Sequence, residues 1–430
     1  MNETLSKNIS RWIAKHRDDI VGLTADLIRH DTVNLVTDGR ERECQEQIAA
    51  VLGGLGLETA LYSPEEAPGF REHPAYFPGK DYAQRPNVAG RWKGGGGGKS
   101  LLFSSHADTA VVAPGWSGSP WEPREQNGKL YGLGSFDMKG GLAASIMAIR
   151  CLKELGIQPA GDVTVESVVD EEFGGANGTL AGRLMGYNAD AAIIPEPTNM
   201  AICPATRGGA LWRLTFRGKT GLSFSGETLV NPLYDTGKFL VFLEKFEKMR
   251  SGASGPAPWY ADDASGLPVI VTRAEAGDMT AALCDVGPEQ SDIDIWVECY
   301  PGVSEEQLKR ELTDGYAAMF PEGQMPEFRK MIRFLPGSEL MPDFPLIGLL
   351  GREVADVCGH EPQVRGAPFA CDAFMFNLHS PTPAIVLGPS GAKAHAADEY
   401  VDIESLLRLT EVYARTIVRW CGVSSLHEGE

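Results

Sequence analysis

Apolar residues recur at helical spacing over 8–30, at Ile9, Trp12, Ile13, Ile20, Val21, Leu23, Leu27 and Ile28, and predict an amphipathic helix. A second helix is expected over 42–55. The segment 63–84, rich in Pro, Glu and aromatic residues, reads as a long loop. Residues 87–92 and 100–105 read as strands joined by the glycine run 94–98, which reads as a flexible hairpin loop. Then follow a helix over 140–155, a strand over 163–169, a Gly-rich turn, a helix from about Thr179 and a strand over 191–194. Strands alternating with helices imply a largely parallel sheet with helices packed against it.

The character changes after Ala205. Residues 211–216 alternate as a strand, 239–249 read as a helix and 251–266 as a loop; strands over 268–273 and 291–298 and a helix over 304–318 complete an α+β pattern. From about Pro345 the first pattern resumes, with a helix over 345–358, a strand over 384–387 and a long helix over 402–421. The expected architecture is therefore α/β, a mostly parallel sheet domain built from 1–205 and 337–430, with an α+β domain inserted at 206–336.

Composition narrows the class. The chain has 430 residues, enough for two domains, since single cores rarely grow past ~250–300 residues. Lys and Arg total 39 against 58 Asp and Glu, for a net charge of −19. That balance argues against a nucleic-acid or anionic-membrane surface, both of which favour a basic face. The polar start and the lack of any ~18-residue apolar stretch argue against a signal peptide or a membrane span, so the cytosol is the expected location. The eight cysteines are scattered without a Cys-x-x-Cys pair and are expected to be reduced, mostly buried thiols.

Five acidic or His-bearing spots fall at strand ends, where open α/β sheets place their ligands. Ser105-His106-Ala107-Asp108-Thr109 closes an apolar strand; His106 is either a metal ligand or an inert strand-end histidine, with Asp108 placed to orient it. Asp137, in Gly132–Gly141, is either a helix cap or a ligand among glycines that permit close approach. Asp170-Glu171-Glu172 is either a solvated turn or a ligand beside a general base. Glu196 lies between Pro195 and Pro197, and His395 lies in the loop after 384–387. Nitrogen and oxygen donors without cysteine suit Zn, Mn or Co in a catalytic site. Two divalent cations carry four positive charges; Asp137, Glu172, Glu196 and a bridging hydroxide would bring the cluster near neutrality.

With these residues in view, the sequence resembles the di-zinc amidohydrolase and peptidase family of aminoacylase-1, acetylornithine deacetylase, succinyl-diaminopimelate desuccinylase and glutamate carboxypeptidase. The resemblance rests on His106-x-Asp108, Asp137-Met138-Lys139-Gly140-Gly141, Glu171-Glu172, Glu196-Pro197-Thr198 and His395-x-x-Asp398-Glu399, in the family's order. It implies that Asp137 bridges two metals, Zn first with Co or Mn as alternatives. His106 and Glu196 would complete one shell, and Glu172 and His395 the other. Glu171 would be the general base and Asp108 would orient His106. The segment 206–336 would be a lid domain, often used for homodimerisation.

Departures from the pattern fall in the lid. Leu222 stands where the family has an oxyanion-binding His, and no His occurs between His106 and His360. Trp296 stands where a carboxylate-gripping Arg is common, leaving Arg207, Arg213 and Lys219 as candidate replacement donors. Lys93 breaks a P-loop reading of the glycine run, and no Gly-x-Ser-x-Gly elbow occurs. The expected activity is metal-dependent hydrolysis of an amide bond in a small N-acyl amino acid or short peptide-like substrate. The alternatives are a catalytically silent, metal-holding binding protein and a hydrolase of carbamoyl or other non-peptide amides.

Overall fold

The computed structural model describes residues 3–174, 176–221, 226, 228–251, 255–263, 265–278, 280 and 286–424. They form two compact units: Met1–Ala205 with Glu339–Ala367 and Cys371–Glu430, and Thr206–Ser338 with Pro368–Ala370.

A mixed nine-stranded sheet organises the first unit. Its order is Glu58–Tyr62, Asn87–Trp92, Val163–Val168, Leu101–His106, Ala192–Ile194, Ala384–Val386, Ile202–Thr206 and Ser338–Glu339, with Val364–Ala367 also paired to Ile202–Thr206. The central four, from Val163–Val168 to Ala384–Val386, are mutually parallel. Asn87–Trp92 and Ile202–Thr206 join them antiparallel. Leu101–His106 and Val163–Val168 are buried at every position, which is why they read as near-continuous apolar runs. Helices Gly140–Glu154 and Ile403–Cys421 pack together. Gly141 is required at the start of the first: a Cβ there would lie 2.2 Å from the Pro195 carbonyl oxygen. The helix can thus reach the end of the strand that carries Glu196.

Two expectations for this unit need correction. The 8–30 pattern is two helices, Glu3–Lys15 and Arg17–Ile28, broken at His16, whose ring stacks on Trp12 at 4.0 Å. The glycine run is not a hairpin loop. Asn87–Trp92 and Leu101–His106 do not pair; Val163–Val168 lies between them. The run turns at Gly96 and Gly97, with φ of 102° and 79°, and is held by Gly95 N–H to the Pro159 carbonyl at 2.9 Å and Gly96 N–H to that of Ala160 at 2.7 Å. A Cβ on Gly98 would lie 1.9 Å from the Cys421 carbonyl oxygen. Glycine composition signals a flexible link, but here it permits close packing.

A small antiparallel sheet, unforeseen because its strands are only two or three residues long, runs Gly391–Ala392, Tyr400–Asp402, Lys129–Tyr131 and Arg124–Gln126. It frames the loop that carries His395.

In the second unit, an antiparallel sheet has the order Val269–Ala276, Gln290–Cys299, Gly208–Arg217 and Glu327–Lys330. Alternate residues Trp212, Leu214 and Phe216 share a core with Phe239 and Phe242 of helix Pro232–Ser251 and with Leu308, Leu312 and Tyr316 of helix Glu305–Met319. Glu327–Lys330 was missed because it is short, polar and mostly exposed. The opposite edge strand exposes Ile270 and Val271. Leu222 lies outside the described residues. Among the described residues, no helix is long and apolar enough to cross a membrane. The seven described cysteines are free thiols, six of them buried; Cys284 lies outside.

Candidate metal centre

The parallel strands bring their carboxyl ends together. His106 ends Leu101–His106, Glu171 and Glu172 follow Val163–Val168, and Glu196 follows Ala192–Ile194. Asp137 precedes helix Gly140–Glu154, and His395 lies between Gly391–Ala392 and Tyr400–Asp402.

These side chains form two groups that share Asp137. In the first, His106 Nε2 lies 3.4 Å from Asp137 Oδ1 and 3.4 Å from Glu196 Oε1. In the second, His395 Nε2 lies 2.8 Å from Glu172 Oε2 and 3.2 Å from Asp137 Oδ2. Within each group the potential ligand atoms lie within 4.8 Å of one another. Glu171 belongs to neither group, although its Oε2 approaches His106 Nε2 at 3.9 Å.

Charge and hydrogen bonding fit cations at both places. Among the described residues, no Lys or Arg pairs with Asp137, Glu171, Glu172 or Glu196; only the two histidines do. His106 Nε2 and Glu172 Oε1 are buried without a hydrogen-bond partner. Burial pushes Glu196 up to about 8, with the Asp137 charge adding to the shift and His106 opposing it. Such a set of acids in a desolvated cleft has a deficit of positive charge that divalent ions would fill. The donors are carboxylate oxygens and imidazole nitrogens, which suit Zn, Mn or Co.

The supporting contacts revise one expectation. His106 Nδ1 meets the main-chain carbonyl of Asp108 at 2.8 Å, while the nearer Asp108 carboxylate oxygen is 3.8 Å away. Asp108 therefore orients the imidazole through its backbone, leaving Nε2 directed at the acids. Its carboxylate Oδ2 instead accepts from Asn34 Nδ2 at 2.8 Å and from the amides of Glu171 and Glu172 at 3.0 and 3.1 Å. Glu399 does the same for the Asp137 segment, accepting from the amides of Gly134, Phe136 and Asp137 at 2.8–2.9 Å. Asn34 lies in no local pattern, and Glu399, although part of the His395-x-x-Asp398-Glu399 motif, reaches a segment more than 260 residues away, so neither role could be read from its neighbours.

The three consecutive acids part company. Asp170, at φ 66°, turns away to Lys80 and Tyr82, whereas Glu171 and Glu172 enter the centre. His395 also adopts a left-handed backbone, φ 60°, a conformation costly for a non-glycine residue unless its surroundings hold it. The replacement donors considered for the lid are largely committed. Arg207 is buried against Glu298, Asp263 and Ser265, and Arg213 forks onto Asp294 at 2.6 Å. Trp296 Nε1 donates to Glu298 at 3.3 Å, and its ring covers Gly209 so closely that a Cβ there would lie 2.6 Å from it.

Residues 102–419 match the sequence profile of Peptidase family M20/M25/M40. The chain is 26% identical over 444 residues to the N-formyl-4-amino-5-aminomethyl-2-methylpyrimidine deformylase of Bacillus subtilis (strain 168), covering 96% of this chain and 97% of that protein. It is 25% identical over 413 residues to the succinyl-diaminopimelate desuccinylase of Rhodospirillum centenum (strain ATCC 51521 / SW), covering 94% and 97%. The crystal structure of human carnosine dipeptidase 1 shares the fold, with a TM-score of 0.72 at 16% identity over 97% of this chain and 99% of that one.

Proposed function

The chain belongs to Peptidase family M20/M25/M40 and is a metallohydrolase of that family; from this premise we propose that it cleaves the amide bond of a small N-acyl compound, with Glu171 as the proton carrier. The observation behind this reading is the division of labour in the acidic cluster. Two His–carboxylate groups share Asp137, while Glu171 stands beside them without joining either.

His106, Asp137 and Glu196 would hold one divalent ion, and Asp137, Glu172 and His395 the other; Zn fits the donors, with Co and Mn as alternatives. Bound there, such a pair supplies polarisation of the scissile carbonyl and a lowered pKa for a shared water. Glu171 Oε2 takes a proton from the attacking water and returns it to the leaving nitrogen. Asp108 holds the backbone amides of Glu171 and Glu172 and so fixes the origin of both side chains. The substrate class is supported by two relatives named for removing formyl and succinyl groups.

The test is hydrolysis of a panel of N-formyl, N-succinyl, N-acetyl and N-carbamoyl amines and amino acids with Zn, Co or Mn added. Glu171→Gln is expected to lower turnover by ~10²–10⁴-fold while retaining the metal content of the parent. Full turnover in that variant would remove Glu171 from the role. Binding of panel members without any product would favour the silent binding protein, a reading motivated by Leu222 and by Trp296, which stands in place of a guanidinium.

A further inference from the structure

The end of loop 63–84 bonds to Asp170, the residue just before Glu171 and Glu172. Lys80 Nζ lies 2.9 Å from Asp170 Oδ1, and Tyr82 donates its hydroxyl to Asp170 Oδ2 at 2.7 Å. Just beyond the loop, Arg85 NH1 lies 3.6 Å from the same carboxylate, and its other nitrogens bind Glu41 at 2.8–3.1 Å. The side chains of Lys80, Arg85, Glu41 and Asp170 are 0–2% exposed. Asn177 ties the assembly to the following helix by donating to the Tyr82 hydroxyl at 2.8 Å and exchanging hydrogen bonds with the Phe77 backbone. Two buried cations face two buried anions, so the network is formally neutral. No ion pair joins these side chains to Asp137, Glu171, Glu172 or Glu196, whose ion-pair partners among the described residues are His106 and His395.

We propose that Lys80, Tyr82 and Arg85 are positioning residues, which clamp Asp170 in its left-handed conformation and thereby set the directions in which Glu171 and Glu172 leave the chain. The geometry explains the need. Adjacent side chains must do different things, one joining Asp137 and His395 and the other staying off both groups. The turn is held from one side by Asp108 through the Glu171 and Glu172 amides, and from the other by the clamp on Asp170. A buried ion pair is a poor source of net stability but a strong constraint on direction, because a displaced partner would be left uncompensated. Sequence alone hides this, since Asp170 looks like a third member of an acidic run and 63–84 looks like a long loop.

The inference rests on the proposed roles of Glu171 and Glu172, and its test separates the two. Tyr82→Phe removes one hydrogen bond and leaves all charges in place; Lys80→Met removes one cation; Lys80→Arg is the restoring variant. Each full-length protein, stripped of metal, is titrated with Co²⁺ and followed by absorption, with its melting temperature measured in parallel. The clamp predicts that only the Co²⁺ binding step assigned to Asp137, Glu172 and His395 is lost or weakened, by ~10–100-fold in Tyr82→Phe and Lys80→Met, because Glu172 belongs to that group alone. The step assigned to His106, Asp137 and Glu196 holds, and Lys80→Arg recovers most of the loss. In turnover of an N-acyl substrate, kcat falls while KM stays near that of the parent, as expected when proton transfer rather than substrate binding is displaced. Equal weakening of both steps in proportion to lost thermal stability would reduce the network to ordinary scaffolding and overturn the proposal. So would unchanged Co²⁺ binding and kcat in Tyr82→Phe and Lys80→Met. If the parent hydrolyses no panel substrate yet the Co²⁺ pattern appears, the clamp stands and the hydrolase reading falls.

Discussion

The two groups that meet at Asp137 are built differently. His106 and Glu196 stand at the ends of neighbouring parallel strands, and their side chains are 1% and 5% exposed. His395 sits on a loop with a left-handed backbone, its side chain 55% exposed, opposite a buried Glu172. One group is preformed by the sheet, and the other depends on a loop held by a two-residue strand and a three-residue strand. Sites on regular elements hold geometry more tightly than sites on loops. The contrast predicts that an ion held by the first group would be shielded and slow to exchange, and one held by the second would exchange more readily.

Asp137→Asn should erase that contrast altogether. Removing the shared charge is expected to bring turnover to background and to abolish both Co²⁺ binding steps in a titration followed by absorption; survival of either step would show that Asp137 is not shared. The paired variants His106→Ala and His395→Ala should separate the groups. His395→Ala is expected to lose one ion per chain by metal analysis and ~10–100-fold in activity, with little change in melting temperature. His106→Ala is expected to lose the tighter ion and to melt lower, because it also empties a buried position. Similar thermal behaviour in the two would break the comparison.

Chelator titration should give the smallest effect. The exposed group is expected to release its ion first, with activity falling before the melting temperature does. Full removal should cost ~1–3 kcal/mol of stability per ion, the size expected for a ligand present at tens to hundreds of times its dissociation constant. A single concerted release would argue that the two groups behave as one.

Much of this was legible along the chain. The apolar strands ending in His106, Val168 and Ile194 could be read because buried parallel strands leave continuous apolar runs, and polar residues interrupt them where the site begins. The parting of Asp170 from Glu171 and Glu172 could not be read, because it depends on a single left-handed residue and on partners up to 90 positions away. The backbone role of Asp108 was hidden for a similar reason: the side chain suggests the contact that its carbonyl makes. Asn34 and Glu399 act through hydrogen bonds spanning 74 and more than 260 residues, which no window on the sequence captures. The short strands Gly391–Ala392 and Glu327–Lys330 carry too few residues to develop an alternation.

The glycine run between Trp92 and Leu101 also bears on how the gene can be altered. Its flanks are wedged against the backbone of Ala160, Gly161 and Cys421, whereas nothing lies within 4 Å of where a Cβ would be at Gly96 or Gly97. A reporter peptide spliced between those two residues would project into solvent. Moved two positions along in the gene, the same splice would wedge the C-terminal helix away from the sheet.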